Sequence, residues 1–285
     1  MRKQNYLLNY QRRNKLFNLT TIKAFSLSDA WFMTLYKIIE TGREFVIDRG
    51  SYAGQKRLEF DYFTIQIMRP WETPLLPKVN PLLGFPDPVA EGYLDEYLPY
   101  LMTGEEKKGE AYTYGQRICD SEFFLTERVK TSKKYINDLV IYNDKNLGIV
   151  RKEGFVDDET DQYFVNQMEL MIWTYKNKGY RNNQMILQVG QPLDMLLKDP
   201  PCLRHIDTRI QDGKLHFFPY FRSWDLFGGF PANLAAIEMM KQYCAAQIGV
   251  ENGEIIASSK GLHIYDYVFE IAEAIRGRKM EEFRN

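Results

Sequence analysis

An α+β fold, with a large mixed β-sheet flanked by helices in a single domain, is what this 285-residue sequence predicts. Three observations lead there. Helical and strand patterns are mixed along the chain. Long strands concentrate in the second half, the clearest being HIDTRIQDGKLHFFPYFRSWD (205–225), two alternating runs joined at QDG. The length is enough to bury one substantial core.

The elements follow in order. SLSDAWFMTLYKIIETG (26–42) reads as a capped amphipathic helix, with Ser26 or Ser28 as N-cap and Gly42 in the place of a C′ glycine. LEFDYFTIQIM (58–68) alternates and is rich in aromatic and β-branched residues, which predicts a strand. Six prolines from Pro70 to Pro88 predict an ordered extended loop, since Trp71, Leu75, Leu76 and Phe85 lie among them. A helix over 89–103, with Pro99 as a kink, precedes the solvated loop 104–111. Residues 121–154 show no clear period and read as a variable insertion. The spacing predicts a helix over 161–179, a strand over 184–190 and the hairpin over 205–225. A helix over 231–249, with Pro231 in its first turn, a strand over 253–264 and a closing helix complete the chain. Residues 1–25 read as an N-terminal extension.

Composition excludes several functions. There are 37 Lys and Arg against 38 Asp and Glu, a formal net charge of -1, so no basic footprint for nucleic acid exists. Any anionic ligand has to be held by a few placed arginines. Three cysteines, Cys119, Cys202 and Cys244, have no paired spacing, which argues against a disulfide framework and a zinc site. The three histidines, His205, His216 and His263, are not at metal-ligand spacing, so no metal is expected. No stretch reaches the ~18 apolar residues of a membrane span, and the basic N-terminus lacks the apolar core of a signal peptide. A cytoplasmic protein with no membrane partner is the expectation.

Chemistry concentrates in DPPC (199–202) and FFPYFRSWDLFGGFPANLAA (217–236). Two prolines fix φ on the approach to Cys202 and place its thiol with little entropy left to lose. A structural cysteine needs no such mount; a nucleophile does. Arg222 and Ser223 together can hold a phosphate, with a bidentate fork and a hydroxyl. Asp225 adds a carboxylate and is a further catalytic candidate, and Gly228 and Gly229 let the backbone approach a ligand. Asn233 offers donor and acceptor on one planar amide, which can read the edge of a pyrimidine ring; it can also cap its helix. His263 and Tyr265, two apart on a strand, point to one face and suit a sugar or phosphate.

DPPC, FRSWDLFGGFPANLA and GLHIY, in this order and near this spacing, resemble the thymidylate synthase family. The resemblance covers roughly residues 26–68 and 90–275 and is strongest after 195. IIETGREFVIDRG resembles the family's N-terminal helix and phosphate loop and so implies Arg49 as a phosphate ligand. TYGQRI implies Tyr114 as an active-site residue. EYLPYL stands where the family has its catalytic glutamate, which implies Glu96, with Glu91 as alternative. The implied domain runs over 26–285 with the thymidylate synthase-like fold. The implied reaction is addition of Cys202 thiolate to pyrimidine C6. C5 then attacks a methylene carried by 5,10-methylene-tetrahydrofolate or a methanopterin analogue. Asn233 points to uracil, and so to C5 methylation of dUMP to dTMP. The alternative is 5-hydroxymethylation of dUMP, dCMP or CMP. A third reading is a nucleotide- or RNA-binding regulator that keeps the fold, against which the intact Cys202 speaks. The family also implies a homodimer that lends an arginine across its interface.

The chain departs from the family pattern at several points. Leu203 follows the nucleophile where His is usual, and Phe221 stands before Arg-Ser in place of Gln. The family's double arginine appears as YRNNQ (180–184), with Arg181 available. The chain ends after its last helix, where the common form continues. Together these resemble the short, archaeal-type branch.

Overall fold

The computed structural model describes residues 16–48, 53–106, 108, 110, 112–124 and 162–284. The order of elements runs β1 (Leu19–Ala24), α1 (Leu27–Thr41), β2 (Arg43–Val46), β3 (Lys56–Glu59), β4 (Tyr62–Ile67), α2 (Tyr93–Met102), α3 (Tyr114–Cys119), β5 (Ser121–Phe124), β6 (Gln162–Val165) and α4 (Gln167–Lys178). It continues with β7 (Ile186–Gln188), β8 (Leu203–Gln211), β9 (Lys214–Phe221), β10 (Trp224–Asp225), α5 (Gly229–Ile248), β11 (Glu251–Ser259), β12 (Leu262–Tyr265), α6 (Phe269–Arg276) and α7 (Glu281–Arg284). Three sheets form: β1-β4-β11-β9-β8-β7, β10-β12-β3-β2 and β5-β6. The largest is mixed, since β1 runs parallel to β4 while β11 runs antiparallel to it. The architecture is the α+β fold with a large mixed sheet that the sequence predicts.

Local chemistry explains the elements that match. Ser26 accepts from Asp29 N while the Asp29 carboxylate accepts from Ser26 N, a capping box that starts α1. Gly42 ends α1 in an extended conformation, not a left-handed one; glycine is needed because a Cβ would press on Ile38 and Leu58. In the β8–β9 hairpin, Asp212 and Gly213 both take positive φ, 51° and 73°, which a tight two-residue turn requires.

Other elements differ from their sequence patterns. Residues 58–68 are not one strand: β3 and β4 part at Phe60–Asp61 and join different sheets. Residues 253–264 likewise split into β11 and β12 around Gly261, whose φ is +78°. Alternation marks a half-buried strand but carries no record of which sheet it joins. The helix read over 161–179 starts only at Gln167, since 162–165 pair with Ser121–Phe124. The helix read from 89 starts at Tyr93, after Gly92 in the left-handed region. The last helix breaks at Gly277, also left-handed. Residues 19–24, read as part of an N-terminal extension, form β1. Of the insertion read over 121–154, the part after Phe124 lies outside the described residues.

The chain divides into two compact units, each discontinuous in sequence. The first comprises Met1–Ala90, Tyr220–Ala235 and Ile255–Asn285. Its core is aromatic. Phe60 stacks on Phe63, Phe63 meets Phe230 edge-on, and Trp224 lies between Phe230 and Phe221, 3.9 Å from the latter. α1 buries Trp31, Leu35, Ile38 and Ile39 in this unit. Each such side chain contributes about 1.5–3 kcal/mol over exposure.

The second unit comprises Glu91–Pro219 and Ala236–Glu254. On α5 it buries Glu238 and Lys241 completely, 2.9 Å apart. Lys241 also donates to the Gly253 carbonyl, and Asn252 and Gln242 donate to Glu238. The edge of β7 is closed by a side chain: the Gln167 amide donates to Gln188 O and accepts from Gln188 N. That amide satisfies backbone groups that would otherwise recruit a further strand.

Candidate active site

Within the second unit, Cys202 stands directly before β8, with Pro201 buried behind it and its own side chain half-buried. The peptide after it is anchored, since Leu203 N donates to the Tyr114 hydroxyl at 3.2 Å. Tyr114 opens α3, which Thr113 caps by accepting from Gln116 N. Gly115 follows because a Cβ there would collide with the carbonyls of Tyr100 and Thr103 at the end of α2. The Tyr-Gly pair is thus a packing requirement that sets the phenol beside the Cys202 loop. Burial pushes the Tyr114 phenol far above its ordinary range, and the charge of Cys202 pushes it the same way. The structure therefore brings Tyr114 and Cys202 together. Glu96 is exposed in the first turn of α2, as is Glu91 just before it.

An ionic cluster supports this loop. Asp194, in the 3-10 turn Pro192–Leu196, is buried between Arg117 at 3.0 Å and Arg204 at 3.2 Å. Its second oxygen also accepts from Gln191 N. Arg204 lies over Gly190, where a Cβ would collide with its guanidinium, and points a donor at the Pro201 carbonyl. Sequence reasoning passed over all three charged residues. Only Arg204 left a signal: it lies two residues after Cys202, at the start of the strand that follows the diproline. Arg181 lines a separate cavity of about 540 Å³ in this unit, with Arg209 and Asn183.

The first unit gathers the remaining candidates. Arg222 and Ser223 form the bend between β9 and β10. Asp225 is paired in register with His263 across β10 and β12. Its carboxylate accepts from the N–H groups of Phe227, Gly228 and Gly229, so it builds the turn that starts α5. Asn233 sits one turn into α5 and accepts from the Trp224 indole N–H at 3.0 Å. Trp31 donates to the carbonyls of Leu226 and Phe227 and fixes the other side of that turn. Arg49 lies outside the described residues.

His263 and Tyr265 share one face of β12, their rings edge-on at 4.7 Å. Opposite them on β3 stand Glu59 and Arg57, ion-paired at 2.6 Å. Neither was anticipated from sequence. His263 is buried, and its Nδ1 meets the Gly261 carbonyl at 2.9 Å, which makes Nδ1 the protonated nitrogen. Burial holds this imidazole below its ordinary pKa, with Arg57 acting in the same direction. Its Nε2 is then an acceptor, buried and without a hydrogen-bond partner among the described residues.

The other cysteines are of a different kind. Cys244 is fully buried on α5, and Cys119 is half-buried at the end of α3. Burial pushes the Cys119 thiol up to about 12 and Cys244 higher still, so both stay protonated and unreactive. Among the described residues no group of His, Cys, Asp and Glu is arranged to hold a metal ion, and no helix is long and apolar enough to cross a membrane.

Comparison with known proteins bears on both units. The family model described as thymidylate synthase matches residues 80–284, well over half of the chain. A candidate thymidylate synthase of Methanosarcina acetivorans is 28% identical over 256 residues, covering 89% of this chain and 93% of that one. Its counterpart from Methanosarcina mazei is 27% identical over 254 residues, with the same coverage. One from Methanothermobacter thermautotrophicus is 24% identical over 271 residues, covering 90% and 97%.

Proposed function

The chain belongs to the thymidylate synthase family, and from that premise we propose that it methylates dUMP at C5 with a methylene-tetrahydrofolate-type donor. The observation that carries this reading is the mounting of Cys202. A thiol between a diproline and a strand, its neighbouring peptides tied to Tyr114 and Arg204, is built to hold one position while a bond forms and breaks.

In the proposed reaction the Cys202 thiolate adds to C6 and the electron pair moves onto C5 and the C4 oxygen. C5 attacks the donor's methylene, the C5 proton leaves, and the carrier is eliminated. Hydride from the carrier then completes the methyl group, and Cys202 departs from C6. Tyr114 is assigned to holding the Cys202 loop through Leu203 N, and Glu96 to proton transfer at the pyrimidine. Arg222, Ser223 and Arg49 are assigned to the phosphate, His263 and Tyr265 to the sugar, and Asn233 to the base edge. The three N–H groups that Asp225 holds favour a positioning role for it over a direct one. The catalytic domain is taken as 26–285 and the working form as a homodimer.

The test is tritium release from 5-tritiated dUMP, dCMP and CMP with methylene-tetrahydrofolate, with dihydrofolate absorbance followed in the same tube. Release from dUMP with equal dihydrofolate formation supports methylation. Release without dihydrofolate replaces it by hydroxymethylation, in which water adds in place of hydride. No release from any base with either a folate or a methanopterin donor removes the proposal.

A further inference from the structure

We propose that Trp224 is a positioning residue that decides which pyrimidine Asn233 can read; this rests on the reading of Asn233 as the base-contacting amide. Trp224 is 1% exposed and held on both faces, 3.9 Å from Phe221 and 4.6 Å from Phe230. Its backbone is paired to β12 through Leu262. The indole therefore has one place to be. From there its N–H meets Asn233 Oδ1 at 3.0 Å.

An indole nitrogen is a donor only. The Asn233 atom facing it is therefore the oxygen, and the amide cannot turn over without setting N–H against N–H. That holds the NH2 end away from Trp224. Asn233 itself cannot drift, because the turn before it is fixed by Asp225 on one side and Trp31 on the other. An NH2 so turned donates to a ring carbonyl. Uracil offers one at C4, with N3–H beside it for the remaining lone pair of Oδ1. Cytosine offers an NH2 at C4 and a bare N3, the reverse pattern. An amide free to flip would serve both bases; one locked by an indole serves uracil. Trp224 thus acts through Asn233 without touching the nucleotide.

The experiment measures dissociation constants of dUMP and dCMP by titration calorimetry on the full chain, on Trp224→Phe, on Asn233→Asp and on the double variant. Phenylalanine keeps a ring between Phe221 and Phe230 and deletes the N–H. The expected result is that Trp224→Phe narrows the preference for dUMP by roughly tenfold, the scale of one hydrogen bond left unmade. In Asn233→Asp, which has no amide to orient, the same change should move the ratio less than twofold. A purely structural role for Trp224 would not disappear in that background. A preference in Trp224→Phe within twofold of the parent overturns the inference and leaves the proposed function standing. A parent chain that binds neither nucleotide, or both equally, overturns both. Should Trp224→Phe fail to fold, the unaltered chain still answers. Its Trp224 indole 15N–1H resonance should shift with dUMP and stay in place with equimolar dCMP; an identical response to both overturns the inference.

Discussion

The segment carrying Cys202 and the segment carrying Asn233 are held by different forces. Around Cys202 the hold is ionic: Asp194 lies between Arg117 and Arg204, and Arg204 reaches back to the Pro201 carbonyl. Around Asn233 it is aromatic, with one directed hydrogen bond from an indole packed between two phenylalanines. On the proposed function, the difference matches what each segment has to keep constant. A nucleophile must keep its position while a bond is made to it, and Arg204, itself held by Asp194, resists displacement of the Pro201 carbonyl before it. A reading amide must keep its sense of rotation, and a single N–H in a rigid ring is enough. Damage to the first segment should therefore appear in turnover, and damage to the second in selectivity.

That contrast can be broken in four ways. The largest effect is expected from Cys202→Ala, which should lower tritium release by at least about 10⁴-fold and leave dUMP affinity within roughly threefold. Loss of affinity in parallel with turnover would place Cys202 in binding. Next comes Asp194→Asn. It leaves Arg117, whose Nη1 already has no partner among the described residues, buried against a neutral amide. A stability loss of about 3–5 kcal/mol in urea unfolding is expected, with a fall in kcat. A loss under about 1 kcal/mol would show that the cluster is not what holds the loop.

Tyr114→Phe should be milder, since it removes one acceptor for Leu203 N. About 1 kcal/mol of stability is at stake, and kcat should fall roughly tenfold with KM little changed. A rise in KM alone would move Tyr114 from the nucleophile to substrate binding.

The smallest effect concerns pH. Burial lowers the pKa values of His205, His216 and His263, so the unfolded chain takes up more protons below ~6.5. Stability is then unaffected by these groups above pH ~6.5 and falls as the pH drops below it. The melting temperature should decline from pH 7 to 5.5, and His263→Asn should remove part of that slope. A slope that does not respond to the substitution would assign the decline elsewhere.

Elements with a local cause were legible in the sequence. The Ser26–Asp29 capping box and the Asp212–Gly213 turn are encoded within a few residues, and α1 and the β8–β9 hairpin appear where their signals stand. The division of 58–68 between two sheets has no local cause, because β3 and β4 alternate alike and differ only in distant partners. The candidate site divides in the same way. Cys202, Asn233 and the His263–Tyr265 pair were visible through motif and spacing. Asp194 and Arg117 meet across 77 positions, so no window contains both. Trp224 was hidden in plain view, at the position between Arg-Ser and Asp that the motif leaves open.

The ladder between β5 and β6 has a use beyond its few hydrogen bonds. Ser121 pairs with Val165 and Phe124 with Gln162, so the chain leaves and re-enters this part of the molecule at adjacent points. The two ends of the intervening stretch are therefore held side by side. Doubling its length would cost only about 0.6 kcal/mol in closure entropy, since the ends are already joined. For protein engineering, this is a docking port in the chain: a fluorescent or affinity module spliced between 124 and 162 would inherit a fixed doorway, with α3 and α4 left on their own footings.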